Sequence, residues 1–429
     1  MMCRSRRVCV MLRRAHFICL GALVAACGAD GDESRRMPGF GPVDAPPIAS
    51  TPGAPSPGSG STDPLAAPST PAADVPADVS ETTPTPVLTP SDPPVSEPAP
   101  TTPVAGTAPA DTPVDEPPAT DAPGAEDGTP VAVHGQLHVD GTRLVGADGV
   151  PVQLKGVSTM WLNWEPRYSV NRDGLRWMRD NWNVSVVRAA MGVEPDGAYL
   201  SDPEAAFAQL RTVVENAIDV GVYVIVDWHD HNAHLHRDQA IDFFSRVARE
   251  FADAPNVLYE PYNEPLNVSW SGVIKPYHEA VLGAIRAEDA DNVVILGTRS
   301  WSQRVDEAAA DRVAGDNLMY TVHFYACDHR EFQRNQAEVA YEAGLPLFVT
   351  EWGATAADGG ARSPTVCGAE AQAWLDWLGA RGIGWAAWKL DGCRDASCFF
   401  TSREAPANGG WTDEWLNGHA RFVIDRLLE

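Results

Sequence analysis

Two glutamates, Glu264 and Glu351, each follow a run of apolar residues that predicts a buried β-strand. A protonated carboxyl group can give its proton to a leaving oxygen, whereas an ionised one can attack an electrophilic carbon. A pair of carboxylates that divides these two tasks is the arrangement that hydrolyses glycosidic bonds. The pair works only when different surroundings hold the two pKa values apart, so the residues around each glutamate matter as much as the glutamates themselves.

Polar and aromatic side chains recur at the ends of six predicted strands in all. Besides the two glutamates, they are Arg188, Asp227, His229, Asn263, His323, Tyr325 and Trp388. Any one of them could be an ordinary loop residue, but charged groups near buried strands are costly unless they are paired or used in binding. Their recurrence at strand ends therefore favours a single shared site.

Eight buried, Val- and Ile-rich segments alternate with stretches of helical periodicity. The predicted strands cover residues 152–158, 184–190, 222–228, 256–262, 293–298, 319–325, 347–351 and 384–388, and the helices 173–182, 203–219, 239–252, 273–288, 330–343 and 369–380. This alternation is typical of α/β proteins, and eight strands favour a (β/α)8 TIM barrel over the alternative, a doubly wound open sheet. The carboxyl ends of TIM-barrel strands form one face, which would bring the site residues together.

The barrel is predicted to occupy residues 131–429, and it opens with a short β-hairpin around Asp140-Gly141, a dipeptide that favours a tight turn. Before it, residues 37–130 hold 25 of the 36 prolines, no Lys or Arg and almost no aromatic residues. Such a stretch cannot bury enough apolar surface to fold. Residues 27–130 are therefore predicted to be a disordered, semi-stiff linker.

Two motifs carry a specific resemblance to a known family. Tyr262-Asn263-Glu264-Pro265 and Phe348-Val349-Thr350-Glu351-Trp352-Gly353 resemble the two catalytic motifs of glycoside hydrolase family 5. The similarity extends through further segments that cover nearly all of residues 134–429 and none of the linker, and residues 267–277 are similar to the bacterial endo-β-1,4-glucanase branch. The resemblance implies a retaining enzyme that cuts internal β-1,4-glucosidic bonds of cellulose or related β-glucans without a cofactor.

The resemblance also implies a role for each site residue. Glu264 would be the acid/base and Glu351 the nucleophile, and Arg188 and Tyr325 would bond the nucleophile carboxylate and keep it ionised. The other implied residues contact the sugar chain: Asn263, His229 and His323 beside the scissile bond, and Trp388, Trp301 and Trp161 as flat faces for glucose rings. Core packing is the alternative for the three tryptophans.

The loop after the last strand departs from the family pattern. Ala387 and Lys389 flank Trp388 where relatives often have Asn and a small residue, and residues 158–161 lack a histidine that many relatives carry. These changes affect the sugar contacts on the non-reducing side of the scissile bond. Mixed-linkage β-glucan and mannan are therefore alternative substrates, and a non-catalytic carbohydrate-binding lipoprotein is a third hypothesis that the presence of both glutamates disfavours.

The start of the chain reads as a targeting segment. Five arginines precede an apolar run, Phe17–Ala26, that is too short to span a bilayer. Because the run ends at Cys27, residues 1–26 are interpreted as a lipoprotein-type signal peptide and Cys27 as the site of lipid attachment. The predicted location is the cell surface or outer membrane, with the membrane contacted through the lipid alone, and ordinary secretion is the alternative.

Four cysteines remain in the predicted barrel domain: Cys327, Cys367, Cys393 and Cys398. An even number of cysteines in an exported domain favours disulfides, for which three connectivities are possible. Because the loops after the sixth and seventh strands share one barrel face, we expect one bridge between Cys327 and Cys367. The other would join Cys393 to Cys398 as a short clip within the last loop.

Charge and histidine content narrow the partners further. The formal net charge is −26, which argues against a nucleic-acid partner because phosphates would be repelled. The histidines of the segment 229–236 could suggest a metal site, but they fall in a predicted loop and His229 already has an implied role, so no metal is expected. The expected partner is a β-glucan polysaccharide, bound by a monomer.

Overall fold

Eight parallel strand positions close into a barrel in this computed structural model, which describes residues 128–358 and 365–429. In chain order the strands are β1 (His138–Asp140), β2 (Arg143–Val145), β3 (Lys155–Thr159), β4 (Val186–Gly192), β5 (Tyr223–His229), β6 (Val257–Glu260), β7 (Val294–Leu296), β8 (Leu318–Thr321), β9 (Phe324–Tyr325), β10 (Leu347–Gly353) and β11 (Trp385–Leu390). Neighbours from β3 to β11 pair in parallel, and β11 pairs with both β10 and β3, which closes the ring. The predicted TIM barrel is confirmed.

The barrel strands are buried along nearly their whole length. Every residue of β4, β5 and β10 is buried, as expected for strands that are covered by helices outside and by side chains inside. Gly156 in β3 lies so close to Val186 in β4 that a Cβ atom would overlap the carbonyl oxygen of Val186. A side chain at this position would therefore push two barrel strands apart.

Helices surround the barrel and connect its strands. They are α1 (Pro130–His134), α2 (Arg172–Trp182), α3 (Pro203–Val220), α4 (Arg237–Phe251), α5 (Lys275–Glu288), α6 (Arg299–Ser302), α7 (Val305–Ala310), α8 (Glu331–Glu342), α9 (Gly368–Arg381) and α10 (Gly418–Leu427). The sequence sets both ends of α3, where Asp202 accepts a hydrogen bond from the Ala205 N–H, Pro203 fills the first turn, and Gly221 ends the helix in a left-handed conformation.

A hairpin and an apolar cluster close the amino-terminal end of the barrel. Strands β1 and β2 pair antiparallel around the predicted turn, where Gly141 has a φ of 60°. Leu137 and Leu144 from the hairpin region pack with Tyr223 and Phe348, which lie at the starts of β5 and β10. This end is therefore filled with apolar side chains, and the polar site residues collect at the opposite end.

Two predicted strands are shortened or divided beside the site. The predicted strand over 256–262 stops at Glu260 because Pro261 lacks the N–H group that a ladder requires. The predicted strand over 319–325 is divided into β8 and β9, and between them the His323 N–H donates to the carbonyl of Ser302 at 2.9 Å. Both departures occur where the chain turns its side chains into the site.

Both predicted disulfides are present. Cys327, which follows β9, is bonded to Cys367 at the start of α9, and Cys393 is bonded to Cys398 within the loop after β11. The Cα–Cα distances of 5.3 Å and 5.7 Å lie below the ~7 Å limit for an unstrained bridge. The bridges hold loops at the carboxyl-terminal face of the barrel.

The predictions for the start of the chain fall largely outside the described residues. The signal peptide, the lipidation site Cys27 and almost all of the linker precede Gly128, where the description begins. Among the helices of residues 128–358 and 365–429, none has the length and apolar character needed to cross a membrane.

Candidate active site

The structure brings the two predicted catalytic glutamates together at the carboxyl-terminal face. Glu351 lies within β10, and Glu264 follows the end of β6 by four residues. One carboxylate oxygen of each lies within 4.8 Å of the other, and a ring nitrogen of His323 lies within the same distance of both. Carboxyl groups ~5–5.5 Å apart are typical of retaining glycosidases, whereas inverting ones need more room for a water molecule.

Glu351 is held by one cation and one phenol. The Tyr325 hydroxyl donates to Oε1 of Glu351 at 2.7 Å, and Nη1 of Arg188 donates to Oε2 at 3.0 Å. These are the two partners that the family resemblance implies. Burial and the nearby charge of Glu264 raise the pKa of Glu351, and His323, Arg188 and Tyr325 oppose that rise.

Arg188 in β4 joins the groups beneath the site. Its side chain is 0% exposed and also contacts Asp227 at 2.9 Å and Glu260 at 2.7 Å. Its Nη2 donates to Oδ1 of Asn263 at 2.6 Å. Burial lowers the pKa of the guanidinium, but the surrounding carboxylates outweigh burial and raise it. Arg188 therefore stays charged and fixes three neighbours around the nucleophile.

His229 is held as a neutral ring. Its Nδ1 donates to Asp227 at 2.7 Å, which leaves Nε2 to accept from Nδ2 of Asn263 at 3.3 Å. Burial and the charge of Arg188 hold the pKa of His229 well below its usual value. The Asn263 amide is thereby oriented from both sides, with its oxygen toward Arg188 and its nitrogen toward His229.

Glu264 has an imidazole on each oxygen. His323 Nδ1 lies 3.0 Å from Oε1, and His231 Nε2 lies 3.1 Å from Oε2. Burial alone would raise the pKa of Glu264, but the hydrogen bonds to His231 and His323 outweigh it and lower the pKa to about 2. Burial has the opposite effect on His323 and lowers its pKa, but Glu260 and Glu264 outweigh burial and raise the pKa to about 9.

These two pKa shifts are opposite to what a simple acid/base role would require, because an acid that holds its proton at rest has a raised pKa. Both describe one proton within the hydrogen-bonded His323–Glu264 pair, and both pKa shifts favour its placement on the imidazole. Its transfer to Glu264 makes this residue an acid and removes a negative charge from beside Glu351. The pair can therefore supply a proton through Glu264 even when that proton rests on the imidazole.

The three tryptophans differ in what they offer to a ligand. Trp388 and Trp161 are only 7% and 8% exposed and pack with Tyr325 in one small cluster. Trp388 stacks on His229, and Trp161 lies parallel to Trp164 with ring centroids 4.6 Å apart. Trp301, in contrast, exposes 42% of its surface. Of the three, Trp301 has a broad free face, and the other two present thin surfaces within the site.

Trp301 lies in an unusual left-handed turn, α6. Ser300, Trp301 and Ser302 all have φ values between 54° and 58°. The Trp301 N–H donates to the carbonyl of Pro265 at 2.9 Å, and the Ser300 N–H donates to that of Leu266 at 3.3 Å. Left-handed conformations are costly for residues other than glycine and tend to occur at functional sites. Here main-chain bonds fix the turn to the segment that carries Glu264.

Three polar residues of the site had no predicted catalytic or sugar-binding role: His231, Glu260 and Thr350. His231 comes two residues after His229, and alternate residues of an extended chain point to one side. Glu260 is an isolated charge at the end of the buried run 257–260. These two signals could have identified His231 and Glu260, but Thr350 resembles any buried strand threonine.

Within residues 128–358 and 365–429, three sets of side chains bring ligand atoms close enough for a metal ion. They are Asp391, Cys393 and Cys398; Glu194, Asp230 and His236; and Glu264, His323 and Glu351. The first contains a disulfide, the second an Asp230–His236 hydrogen bond of 2.7 Å, and the third the hydrogen-bonded catalytic pair. Each set is therefore already engaged in protein contacts.

A TIM barrel with two close glutamates at its carboxyl-terminal face, one bonded to Arg and Tyr and the other to imidazoles, defines a glycoside hydrolase. Residues 145–393 match the family model described as cellulase (glycosyl hydrolase family 5). The chain belongs to this family.

Named relatives and solved structures agree with this assignment. Endoglucanase N of Pectobacterium atrosepticum is 39% identical over 305 residues, which cover 70% of this chain and 67% of that protein. Endoglucanase Z of Dickeya dadantii is 44% identical over 257 residues, 59% of each chain. The chain spans 57% to 67% of the length of the first five curated relatives. A structure of the catalytic domain of a Thermobifida fusca endoglucanase with cellotetraose is 32% identical, with a TM-score of 0.67, covering 70% of this chain and 100% of that one.

Proposed function

We propose that the protein is a retaining endo-β-1,4-glucanase that hydrolyses internal bonds of cellulose or related β-glucans. The observation that carries this proposal is the close pair of Glu264 and Glu351. A carboxylate oxygen of one lies within 4.8 Å of a carboxylate oxygen of the other, and the two residues have different hydrogen-bond partners. That spacing leaves room for a sugar carbon and its leaving oxygen but not for an inserted water on the opposite face. Relatives of the chain are named endoglucanases, and one related catalytic domain binds cellotetraose.

In the first step, Glu351 attacks the anomeric carbon and forms a glycosyl ester. Glu264 gives a proton to the glycosidic oxygen as its bond to that carbon breaks, and the shortened chain leaves. Arg188 keeps the Glu351 carboxylate in position, and Tyr325 donates to Oε1. The oriented Asn263 amide lies beside both glutamates, where it can bond the 2-hydroxyl of the sugar.

In the second step, water replaces the departed chain. Glu264, now ionised, takes a proton from the water as its oxygen attacks the anomeric carbon, and the ester to Glu351 breaks. Two inversions leave the configuration unchanged. His323 and His231 bond the carboxylate that forms when Glu264 gives its proton to the leaving oxygen, so they stabilise its ionised state.

A second substrate class has one specific observation in its favour. Lys389, which follows Trp388, is buried, and its Nζ lies 3.2 Å from the carboxylate of Asp395 in the disulfide-clipped loop. Beside a sugar-binding tryptophan, such an ion pair can bond sugar hydroxyl groups that the Asn and the small residue of many relatives would not bond. Mixed-linkage β-glucan and mannan are therefore the alternatives to cellulose.

The test is a reducing-sugar assay on carboxymethylcellulose, barley β-glucan and mannan. We expect the highest rate on one of the two glucans, with Glu351→Gln inactive on all three. Proton NMR of early products from cellotetraose should show the β-anomer first. An α-anomer formed first, or a wild-type protein without activity on any of the three, would overturn the proposal.

We also propose that the enzyme is exported and held at the cell surface by a lipid on Cys27. The arginine-rich start and the apolar run before Cys27 support this, as do two disulfides, which form in oxidising compartments. Cys27→Ala should move active enzyme from the membrane fraction to the soluble fraction. Wild-type enzyme found mainly in cell-free medium, without lipid on Cys27, would favour ordinary secretion.

A further inference from the structure

A buried carboxylate, Glu260, lies beneath the site and touches both halves of it. Its side chain is 0% exposed and accepts from Arg188 through Nε at 2.7 Å and Nη2 at 3.2 Å. Its Oε1 also accepts from the hydroxyl of Thr350 at 2.7 Å. Burial raises the pKa of Glu260, but Arg188 outweighs burial and lowers it. Glu260 is therefore an ionised group that can only accept hydrogen bonds.

The position of the Thr350 hydroxyl proton follows from these contacts. A hydroxyl has one proton, and the ionised Glu260 takes it. The Thr321 hydroxyl accepts from the Thr350 N–H at 3.1 Å, so its own proton points to Thr350 Oγ1 across 2.7 Å. The third neighbour of Thr350 Oγ1 is Nε2 of His323 at 2.8 Å. Since Thr350 has no further proton to give, Nε2 must be the donor.

His323 is thus limited to one neutral tautomer. With a proton always on Nε2, the neutral ring presents a lone pair at Nδ1, which faces Oε1 of Glu264 at 3.0 Å. One proton occupies this contact, and it lies on Nδ1 when the ring is charged or on Glu264 when the ring is neutral. The opposite tautomer would leave Glu264 ionised opposite a neutral ring, unable to act as an acid.

We propose that Glu260 and Thr350 are positioning residues that fix the tautomer of His323 and thereby place the shared proton for delivery through Glu264. This inference rests on the proposed glycoside hydrolase function. During bond cleavage the proton moves from Nδ1 to Glu264 and on to the leaving oxygen, and His323 stays neutral. In the second step water gives a proton to Glu264, which returns it to Nδ1, so the cycle closes with no net change at Thr350 or Glu260.

The discriminating variants are Thr350→Val, which removes the hydroxyl at almost constant volume, and Thr350→Ser, which retains it. Thr298→Val is the matched control, because Thr298 is equally buried and its hydroxyl has no hydrogen-bond partner among the described residues. Rates are compared on cellotetraose, whose leaving group needs a proton, and on 2,4-dinitrophenyl β-cellobioside, whose leaving group does not.

We expect Thr350→Val to lose ~10²-fold in kcat/KM on cellotetraose, the usual scale of general acid catalysis, and far less on the dinitrophenyl substrate. Thr350→Ser should recover most of the loss, and Thr298→Val should match wild type on both substrates. An equal loss on both substrates would overturn the tautomer proposal and leave the hydrolase function intact. Wild-type inactivity on both would instead remove the proposed function.

A direct measurement covers the case in which Thr350→Val folds poorly. In wild-type protein with ¹⁵N-labelled histidine, His323→Gln assigns the His323 resonances, and Nε2 should carry a proton across the pH range in which Nδ1 titrates. A neutral His323 protonated at Nδ1 would contradict the proposal without any variant of Thr350.

Discussion

Glu351 and Glu264 are the same residue type within one cleft, yet their partners behave differently with pH. Arg188 is always charged and Tyr325 keeps its proton, since burial and Glu351 raise the pKa of the phenol well above its usual value. His231 and His323 are imidazoles, which can exchange a proton with the carboxylate that they contact. Constant partners suit the nucleophilic role proposed for Glu351, whereas partners that exchange protons suit the acid/base role proposed for Glu264.

The largest expected effect comes from removing the nucleophile. Glu351→Gln keeps the volume and most hydrogen bonds but cannot form the glycosyl ester, so kcat should fall by several orders of magnitude on every substrate. Glu264→Gln should differ, because its first step on a dinitrophenyl glycoside needs no acid. Stopped-flow release of dinitrophenol should show a burst for Glu264→Gln and none for Glu351→Gln. Equal behaviour of the two variants would break the comparison.

A smaller effect is expected at the phenol beside the nucleophile. Tyr325→Phe removes one hydrogen bond to a carboxylate, worth about 1.5–3 kcal/mol, so kcat/KM should fall roughly 10- to 100-fold. The hydroxyl lowers the pKa of Glu351, so its loss raises that pKa and moves the acidic limb of the pH profile to higher pH. Measurement of kcat/KM between pH 3 and 7 for the variant and the wild type checks this prediction. An acidic limb at the same pH in both proteins would contradict it.

The acid/base side should respond in the opposite part of the profile. His231 lowers the pKa of Glu264, so His231→Phe raises it and extends activity to higher pH, with little loss at the optimum. His234→Phe is the control, because His234 lies in the same loop but bonds the hydroxyl of Tyr262. The alkaline limb from pH 6 to 10 should shift for His231→Phe alone. A shift of the acidic limb instead would assign His231 to the nucleophile.

The smallest effect at neutral pH concerns the free energy of unfolding. Its loss at low pH must be distinguished from the acidic limb of the activity profile. Burial lowers the pKa of His419 to about 4, although a bond to the Trp388 carbonyl raises it slightly. Between its usual value and 4, the unfolded state binds more protons, so stability falls as pH falls, by up to about 3 kcal/mol. Urea unfolding should show a shallower acid loss for His419→Asn than for wild type. Identical pH slopes would remove His419 as the cause.

The sequence predicted the parts of this site that depend on strand order. Arg188, Asn263, Tyr325 and Glu351 meet because each lies in or just after a strand of a closed parallel barrel. The contacts of Arg188 and Tyr325 with Glu351 match the pattern implied by the family resemblance. Their catalytic roles stay predictions until variants are measured.

The contacts that the sequence did not predict depend on side-chain direction. Thr350 reaches His323 because the sixth barrel position is broken at Val322-His323, and no periodicity marks such a break. His231 reaches Glu264 from the loop after β5, and nothing in the sequence marks the two-residue alternation of the strand as continuing beyond His229. Exposure of Trp161, Trp301 and Trp388 likewise depended on neighbours rather than on residue type.

The left-handed turn at Trp301 makes this position attractive for protein engineering. Because main-chain bonds to Pro265 and Leu266 hold the turn, the indole can be exchanged without displacing the segment that carries Glu264. A library at Trp301 would therefore test the predicted sugar-binding role of the indole, with product length and turnover as the two measurements. Glycine adopts the required backbone geometry at little cost, so even complete removal of the ring belongs in the library.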